Sequence, residues 1–304
     1  MLFLVIIIAV LLLVAFMTVA ERKLMGACQR RVGPNVVGYR GILQPIADGV
    51  KLLLKETVLP IESSNVVFLG APLVLFYLSL LSWLVLPIDF GVAIAPMTYG
   101  ILYLLAVSEL GIWGVVYAGW SANSKYPLIG SLRSTAQMLS YSVSLGLIIL
   151  TVVMCIGSLD LLEITSTQKP LSMAWPLFPM VILFFLSLLA ETNRAPFDLP
   201  EAESELVAGF MTEHSAVGFV FFFLGEYTNM ITMSALMVIL FFGGTSLFIN
   251  SLLVISILFL TIWVRSTLPR VRLDYLFRMG WSNILPVTVG YIIMVPSLLY
   301  LLRG

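Results

Sequence analysis

Five carboxylates and one arginine lie close together in AETNRAPFDLPEAESELVAGF, residues 190–210, between two long apolar runs. They are Glu191, Asp198, Glu201, Glu203 and Glu205, with Arg194. The chain has 16 acidic residues in all, so this stretch gathers nearly a third of them. Carboxylates this close repel and raise one another's pKa values, and raised, coupled pKa values are what proton handling requires. The stretch predicts a site that takes up and releases protons.

A structural role for the same acids is the alternative. Asp198 can be the N-cap of a helix, with Pro200 in the first turn and Glu201 closing a capping box. Glu203 and Glu205 would follow close to the positive end of the helix dipole. This interpretation explains one or two of the acids but not all five, so the proton-handling interpretation is favoured.

Two further carboxylates lie inside apolar runs. Glu226, in GFVFFFLGEYTNM, is about 11 residues from the start of its run, or roughly 16 Å at the helical rise. Glu109, in VSELGIW, is similarly deep. A carboxylate at this depth is costly unless it is paired or protonated, and it marks an ion path by default. Both acids predict a polar route into the membrane, with a hydrogen-bonded structural role as the alternative.

The longest segment between apolar runs is ERKLMGACQRRVGPNVVGYRGILQPIADGVKLLLKE. Charged and apolar residues alternate at helical spacing over residues 42–56, which predicts an amphipathic helix at the membrane surface. Arg22 and Lys23 follow the first apolar run, and a second basic cluster, RSTLPRVRLD, covers residues 265–274. These clusters could line a shared opening for an amphiphile. The alternative is a basic loop that contacts anionic lipid.

Composition places all these residues in a membrane protein. Hydrophobic residues make up 60% and charged residues 11%, against about 45–50% and 25% in soluble domains. The net charge is zero, which gives no reason to expect nucleic acid as a partner. Cys28 and Cys155 form no CxxC motif, so any redox centre must belong to a partner. A lone histidine, His214, predicts neither a metal site nor a catalytic triad.

The apolar runs predict an all-α polytopic protein with about eight transmembrane helices and the surface helix in the first inner loop. The predicted spans are 1–20, 66–88, 97–119, 134–157, 172–191, 215–241, 246–264 and 281–302. They form a single membrane domain over residues 1–304. Every lysine and arginine except Lys169 and Arg303 falls on one side of this topology, which predicts that side to be the inner one and both termini to lie outside.

Several long motifs carry a family resemblance. They are the two stretches quoted above from residues 190 and 21, together with GWSANSKYPLIGSLRSTAQMLSYS, GEYTNM and WVRSTLPRVRLDYL. In this order they resemble chain 1 of NADH–ubiquinone oxidoreductase (complex I) and its bacterial counterpart, over essentially the whole chain.

The resemblance implies a membrane-arm subunit that forms most of the quinone tunnel and begins the acidic path for proton translocation. Ubiquinone would be the substrate, this chain would hold no prosthetic group, and FMN and iron–sulfur clusters would lie in partner subunits. The implied partners are other membrane-arm subunits, the quinone-module subunits of the peripheral arm, and membrane lipid. The implied location is the mitochondrial inner membrane with both termini in the intermembrane space. A bacterial plasma membrane is the alternative.

The resemblance also implies roles for individual residues. The quinone-binding positions are Arg22, Arg31, Asp48, Lys51, Arg194 and Arg265, with Glu56 nearby. The proton path comprises Glu191, Asp198, Glu201, Glu203, Glu205 and Glu226. The family's fourth helix usually reads SYE, whereas this chain has Ser140, Tyr141 and Ser142. We expect Glu109 to replace the missing carboxylate from the third helix and to join the proton path, with a hydrogen-bonded structural acid as the alternative.

Two other classes of protein share some of these features. A secondary ion transporter would also have buried carboxylates, but its helix breaks tend to recur in two matching repeats, and no such symmetry is found in the sequence. A component of a related ion-pumping membrane hydrogenase would share the fold and several motifs. NADH-dependent quinone reduction by the assembled complex distinguishes the predicted function from both.

Overall fold

The computed structural model describes residues 2–87, 93–169, 172–198, 209–243 and 246–303, and within these residues the regular elements are all helical. The α-helices are α1 (Leu2–Cys28), α2 (Gln44–Leu54), α3 (Asn65–Leu81), α4 (Gly100–Ser121), α5 (Lys125–Ile156), α6 (Leu161–Thr167), α7 (Phe178–Glu191), α8 (Ala216–Phe242), α9 (Leu247–Thr267), α10 (Leu273–Arg278) and α11 (Leu285–Arg303). A π-helical turn, Met279–Ile284, joins α10 to α11.

Among the described residues, seven helical segments are long and apolar enough to cross a membrane. They include α1, α3, α4, α5, α8 and α9, and the continuous segment from Leu273 to Leu301. The run predicted as the fifth span, 172–191, contains the shorter apolar helix α7 of 14 residues. The prediction of an all-α polytopic membrane protein is confirmed.

The surface helix predicted over residues 42–56 corresponds to α2. Pro45 lies in its first turn, where its missing N–H costs nothing. None of the α2 residues is buried in the chain. Because Ile46, Val50 and Leu53 are exposed, α2 carries apolar side chains that a lipid surface or a partner can cover.

Helix α8 lies at the centre of the bundle. In its apolar window 72% of the residues are buried, against 17–44% in the other candidate spans. It packs against α3, α7, α9 and α1. Its C-terminal half joins the largest apolar cluster, in which Phe241 meets Phe184 of α7 edge-on at 5.6 Å. Any polar side chain near the middle of α8 is therefore held among several helices.

Helices α4 and α5 form a close antiparallel pair. Gly119 of α4 has no side chain where the backbone passes Pro127 and Ser131 of α5. Small residues allow such close approach between membrane helices. Further along the pair, residues of both helices line a small internal cavity of about 50 Å³, among them Ile101 and Leu105 of α4 and Leu145 and Ile149 of α5.

Candidate functional site

A buried ionic site centres on Glu21, near the end of α1. Its Oε1 accepts hydrogen bonds from Nη1 of Arg194, at 3.3 Å, and from Nη1 of Arg265. Its Oε2 accepts a hydrogen bond from the Tyr227 hydroxyl. The Arg194 guanidinium also lies over the Tyr227 ring, 4.3 Å from its centroid. We call Glu21, Arg194, Tyr227 and Arg265 the Glu21 cluster.

Four separate parts of the chain supply the Glu21 cluster. Glu21 comes from α1, Tyr227 from α8 and Arg265 from the last turn of α9. Arg194 comes from the turn after α7, where its backbone N–H bonds to the Leu189 carbonyl at 3.0 Å. The Glu21 side chain is 4% exposed, so its carboxylate is compensated by the two arginines and not by bulk water.

A second ion pair joins α1 to the surface helix α2. Arg22 Nη1 lies 2.7 Å from Asp48 Oδ2, and Gln44 Nε2 donates to Asp48 Oδ1 at 2.9 Å. The Lys23 ammonium donates to the Arg40 carbonyl. Because the Arg22 and Asp48 side chains are 48% and 35% exposed, water screens this pair and it contributes little stability.

The predicted quinone-binding residues thus fall into three groups. Arg194 and Arg265 meet on Glu21, and Arg22 meets Asp48. Arg31, Lys51 and Glu56 are exposed and belong to neither contact.

The acidic stretch is described only in part. Glu191 is 2% exposed and Asp198 is 3% exposed. Asp198 lies 3.5 Å from Nη2 of Arg270, in the second basic cluster. Gln137 of α5 donates to the carbonyls of Ala190 and Phe197, at 2.8 and 2.9 Å, and so fixes this turn against α5. Glu201, Glu203, Glu205 and the proposed capping box from Pro200 onward lie outside the described residues.

The two acids predicted within apolar runs are both half-buried. Glu226 precedes Tyr227 on α8. Glu109 lies on α4. Ser142, on α5, donates its hydroxyl to the carbonyl of Leu139 at 3.1 Å. The replacement of the missing carboxylate by Glu109 stays a prediction.

A large apolar cavity adjoins the Glu21 cluster. It has a volume of about 620 Å³ and lies between α1, α8 and α9. Ala20, Ile231 and Ile262 line it, and each is within about one helical turn of a member of the Glu21 cluster. The far end, near Thr165 and Asn250, leads away from the charges.

His214 has a structural environment. Its ring stacks on Phe68 with centroids 3.9 Å apart and meets the edge of Phe222 at 4.9 Å. Burial lowers the pKa of His214 to about 4, so the imidazole is neutral at physiological pH. It is distinct from the charged sites described above.

Sequence reasoning missed Glu21 and Tyr227. Glu21 stands directly before Arg22 and Lys23 and looks like an ordinary polar end of a span. The sequence pointed to such a residue only indirectly. Arg194 and Arg265 were both predicted to lie at the quinone-binding site, and two buried arginines that lie close together need a negatively charged partner.

Comparison with known proteins gives consistent results. A family model described as NADH dehydrogenase matches residues 1–296. NADH-ubiquinone oxidoreductase chain 1 of Hyaloraphidium curvatum is 54% identical over 299 residues, covering 98% of both chains. The protein of the same name from Chondrus crispus is 50% identical, over 97% of this chain and 94% of that protein. A bacterial relative, an NADH-quinone oxidoreductase subunit from Paramagnetospirillum magneticum, is 49% identical, over 97% of this chain and 90% of that protein.

Proposed function

This chain belongs to the NADH dehydrogenase family that includes NADH-ubiquinone oxidoreductase chain 1 and its bacterial counterparts, and on that premise we propose that it binds the quinone and begins the proton path of a proton-translocating NADH:quinone oxidoreductase. Its relatives are named as parts of an oxidoreductase and not as secondary transporters. We place the chain in the mitochondrial inner membrane, with the loop that contains α2 on the matrix side.

One observation carries this proposal: the apolar cavity of about 620 Å³ adjoins the buried Glu21 cluster. An apolar cavity with a few polar groups at one end suits a ligand that has an apolar tail and a polar ring. A prenylated quinone is such a ligand. The tail would occupy the space between α1, α8 and α9, and the ring would approach the inner end, where Arg22 and Asp48 also lie.

The chemistry at the ring requires charge and protons. Reduction of a quinone to a quinol consumes protons as well as electrons, and the electrons would come from redox centres in partner subunits. Fixed guanidinium groups stabilise negative charge that develops on the ring oxygens. Arg194 is 11% exposed and Arg265 28% exposed, so both act from a partly desolvated site, where their fields are stronger than in water.

The acidic residues would pass the change in charge and protonation from the quinone ring toward the proton path. Glu191 is the last residue of α7 and lies only three residues before Arg194, so a change in charge at the Glu21 cluster would alter the electrostatic potential at Glu191. From there the proposed path includes Asp198, Glu226 and the acids of the 201–205 segment. A protonation change at one buried carboxyl shifts the proton affinity of its neighbours, which couples quinone chemistry to proton movement.

Asp48→Asn tests the quinone part of the proposal. Removing the carboxylate frees Arg22 and loosens α2 from α1, so we expect the KM for quinone to rise by on the order of tenfold, as for the loss of a positioning contact. NADH oxidation by a hydrophilic artificial acceptor should stay at the wild-type rate, because that reaction bypasses the membrane site.

The matched control is Glu163→Gln, at the opposite end of the bundle, where Glu163 accepts a hydrogen bond from Ser158. This variant should have wild-type quinone kinetics. Equal loss of both activities in Asp48→Asn would indicate failed assembly. An unchanged KM for quinone would contradict the proposed role of this ion pair.

The proposal also requires partners. Purification through a tag on this chain should bring down a large assembly that reduces quinone with NADH, whereas the purified chain alone should be inactive. NADH-dependent quinone reduction by the isolated chain would contradict the proposal.

A further inference from the structure

One amide in the middle of the bundle has no role in the proposed function. Asn229 lies on α8, the most buried of the candidate spans. It is half-buried, and within the part of the chain that the structure describes its side chain makes no hydrogen bond. Because the bilayer core offers no water to such a group, an amide there needs partners inside the protein.

Asn229 faces the internal cavity of about 50 Å³ that α4 and α5 help to line. Residues of α3 and α8 complete the lining. Most of these residues are apolar, and a purely apolar cavity would stay dry. Five polar side chains, however, come from three of the helices: Ser79 and Ser82 of α3, Ser108 of α4, and Asn229 and Thr232 of α8.

The hydroxyl groups among these five residues have acceptor sites to spare but no spare proton. All four donate to a backbone carbonyl of their own helix, at 2.7 to 2.9 Å. A hydroxyl has one donor and two acceptor sites, so each oxygen can still accept a hydrogen bond. The Asn229 amide has two N–H donors and an acceptor oxygen of its own.

Water is the ligand whose hydrogen bonding matches this set. It can donate to the hydroxyl oxygens and accept from the Asn229 amide. A buried water needs two to four polar partners and a cavity of at least about 10–15 Å³, so this cavity has room for on the order of two or three molecules. The described residues that line it include no carboxylate, so a metal cation would lose its hydration without a compensating charge.

We propose that this cavity binds ordered water, which joins the Asn229 amide to the hydroxyl groups of α3 and α4. A water-mediated hydrogen bond is nearly as favourable as a direct one, so the bound water would stabilise the packing of α3 and α4 against α8. The inference goes beyond the proposed function and does not depend on it, because it assigns this water no step of the quinone chemistry.

The variant Asn229→Leu in the assembled complex tests the proposal by the sign of its effect. Leucine is similar in size to asparagine but has no polar group. If the amide anchors water, its loss leaves the water short of a partner, and the temperature at which the complex loses activity should fall by about 2–4 °C. In a dry cavity the same change would remove an unpaired amide and raise that temperature. An unchanged or higher temperature would overturn the proposal.

Two threonines of α8 provide a matched pair of variants. Thr232 and Thr228 both donate to a carbonyl of their own helix, but Thr232 lines the cavity and Thr228 does not. Replacement by valine keeps the shape of either side chain and removes its hydroxyl. Thr232→Val should lower the inactivation temperature, and Thr228→Val should leave it unchanged. Equal effects of the two changes would overturn the proposal.

A high-resolution cryo-EM map of the wild-type complex decides the question even where a variant fails to assemble. We expect ordered density within hydrogen-bonding distance of the Asn229 side chain and of the hydroxyl of Ser79 or Ser108. A map that resolves water elsewhere in the membrane interior but shows none in this cavity would overturn the proposal.

Discussion

Glu21→Ala is expected to prevent the accumulation of active complex. The change leaves the guanidinium groups of Arg194 and Arg265 close together without the carboxylate that both contact. Breaking a buried ion pair by removing one partner costs about 3–5 kcal/mol, because it leaves an uncompensated charge. The loss affects α1, α8, α9 and the turn after α7 at once, since each supplies a member of the Glu21 cluster.

The Glu21→Gln variant distinguishes the contribution of Glu21 to the stability of the complex from its contribution to quinone reduction. The amide retains the shape and one acceptor oxygen but not the charge, so we expect partial assembly with impaired quinone reduction. Glu62→Ala, an exposed acid on the segment between α2 and α3, is the control and should assemble normally. The measurements are the amount of assembled complex on a native gel and its NADH:quinone activity. Normal assembly and activity in Glu21→Ala would contradict the structural role of the cluster.

Gly119→Ala is expected to destabilise the complex strongly for so small a change. The added Cβ would collide with the Ser131 side chain and lie 2.7 Å from the Pro127 carbonyl oxygen, which is backbone and cannot rotate away. Overpacking of this kind costs about 1–3 kcal/mol. Separation of α4 from α5 would also displace Glu109 of α4, which is predicted to join the proton path, so proton translocation should fall with stability.

Gly111→Ala on the same helix is the matched control. A Cβ at Gly111 meets nothing within 4 Å. Replacing Gly by Ala inside a helix stabilises it by up to about 1 kcal/mol, so this variant should be neutral or slightly more stable. The temperature at which the assembled complex loses activity measures the stability of the Gly119→Ala and Gly111→Ala variants. Equal inactivation temperatures for the two variants would rule out the close contact between α4 and α5.

The sequence predicted the helices well because long apolar runs admit little else in a membrane. It also predicted α2, since charged and apolar residues alternate at helical spacing there, and it selected both partners of the Arg22–Asp48 pair. The short helix α7 was less predictable: the run from residue 172 is apolar throughout, and apolar character alone does not show where a helix begins.

The sequence alone could not predict which residues of different helices contact one another. Glu21 and Arg265 are 244 positions apart, and Glu21 and Tyr227 are 206 apart. Helical periodicity is local and says nothing about such pairs. The depth of Glu109 could be read from its apolar run, but the residues that α5 places beside α4 depend on how the two helices pack. The sequence also drew attention to Glu226 and not to its neighbour Tyr227, whose hydroxyl donates a hydrogen bond to Glu21.

The most direct test of the central claim is photolabelling of the assembled complex with a photoreactive prenylated quinone, followed by mapping of the labelled peptides. We expect label on this chain in peptides from α1, α8 and α9 that line the apolar cavity. Excess natural quinone should remove the label, and Glu21→Gln should weaken it. Label found only on other subunits, or label on this chain that excess quinone does not displace, would contradict the account.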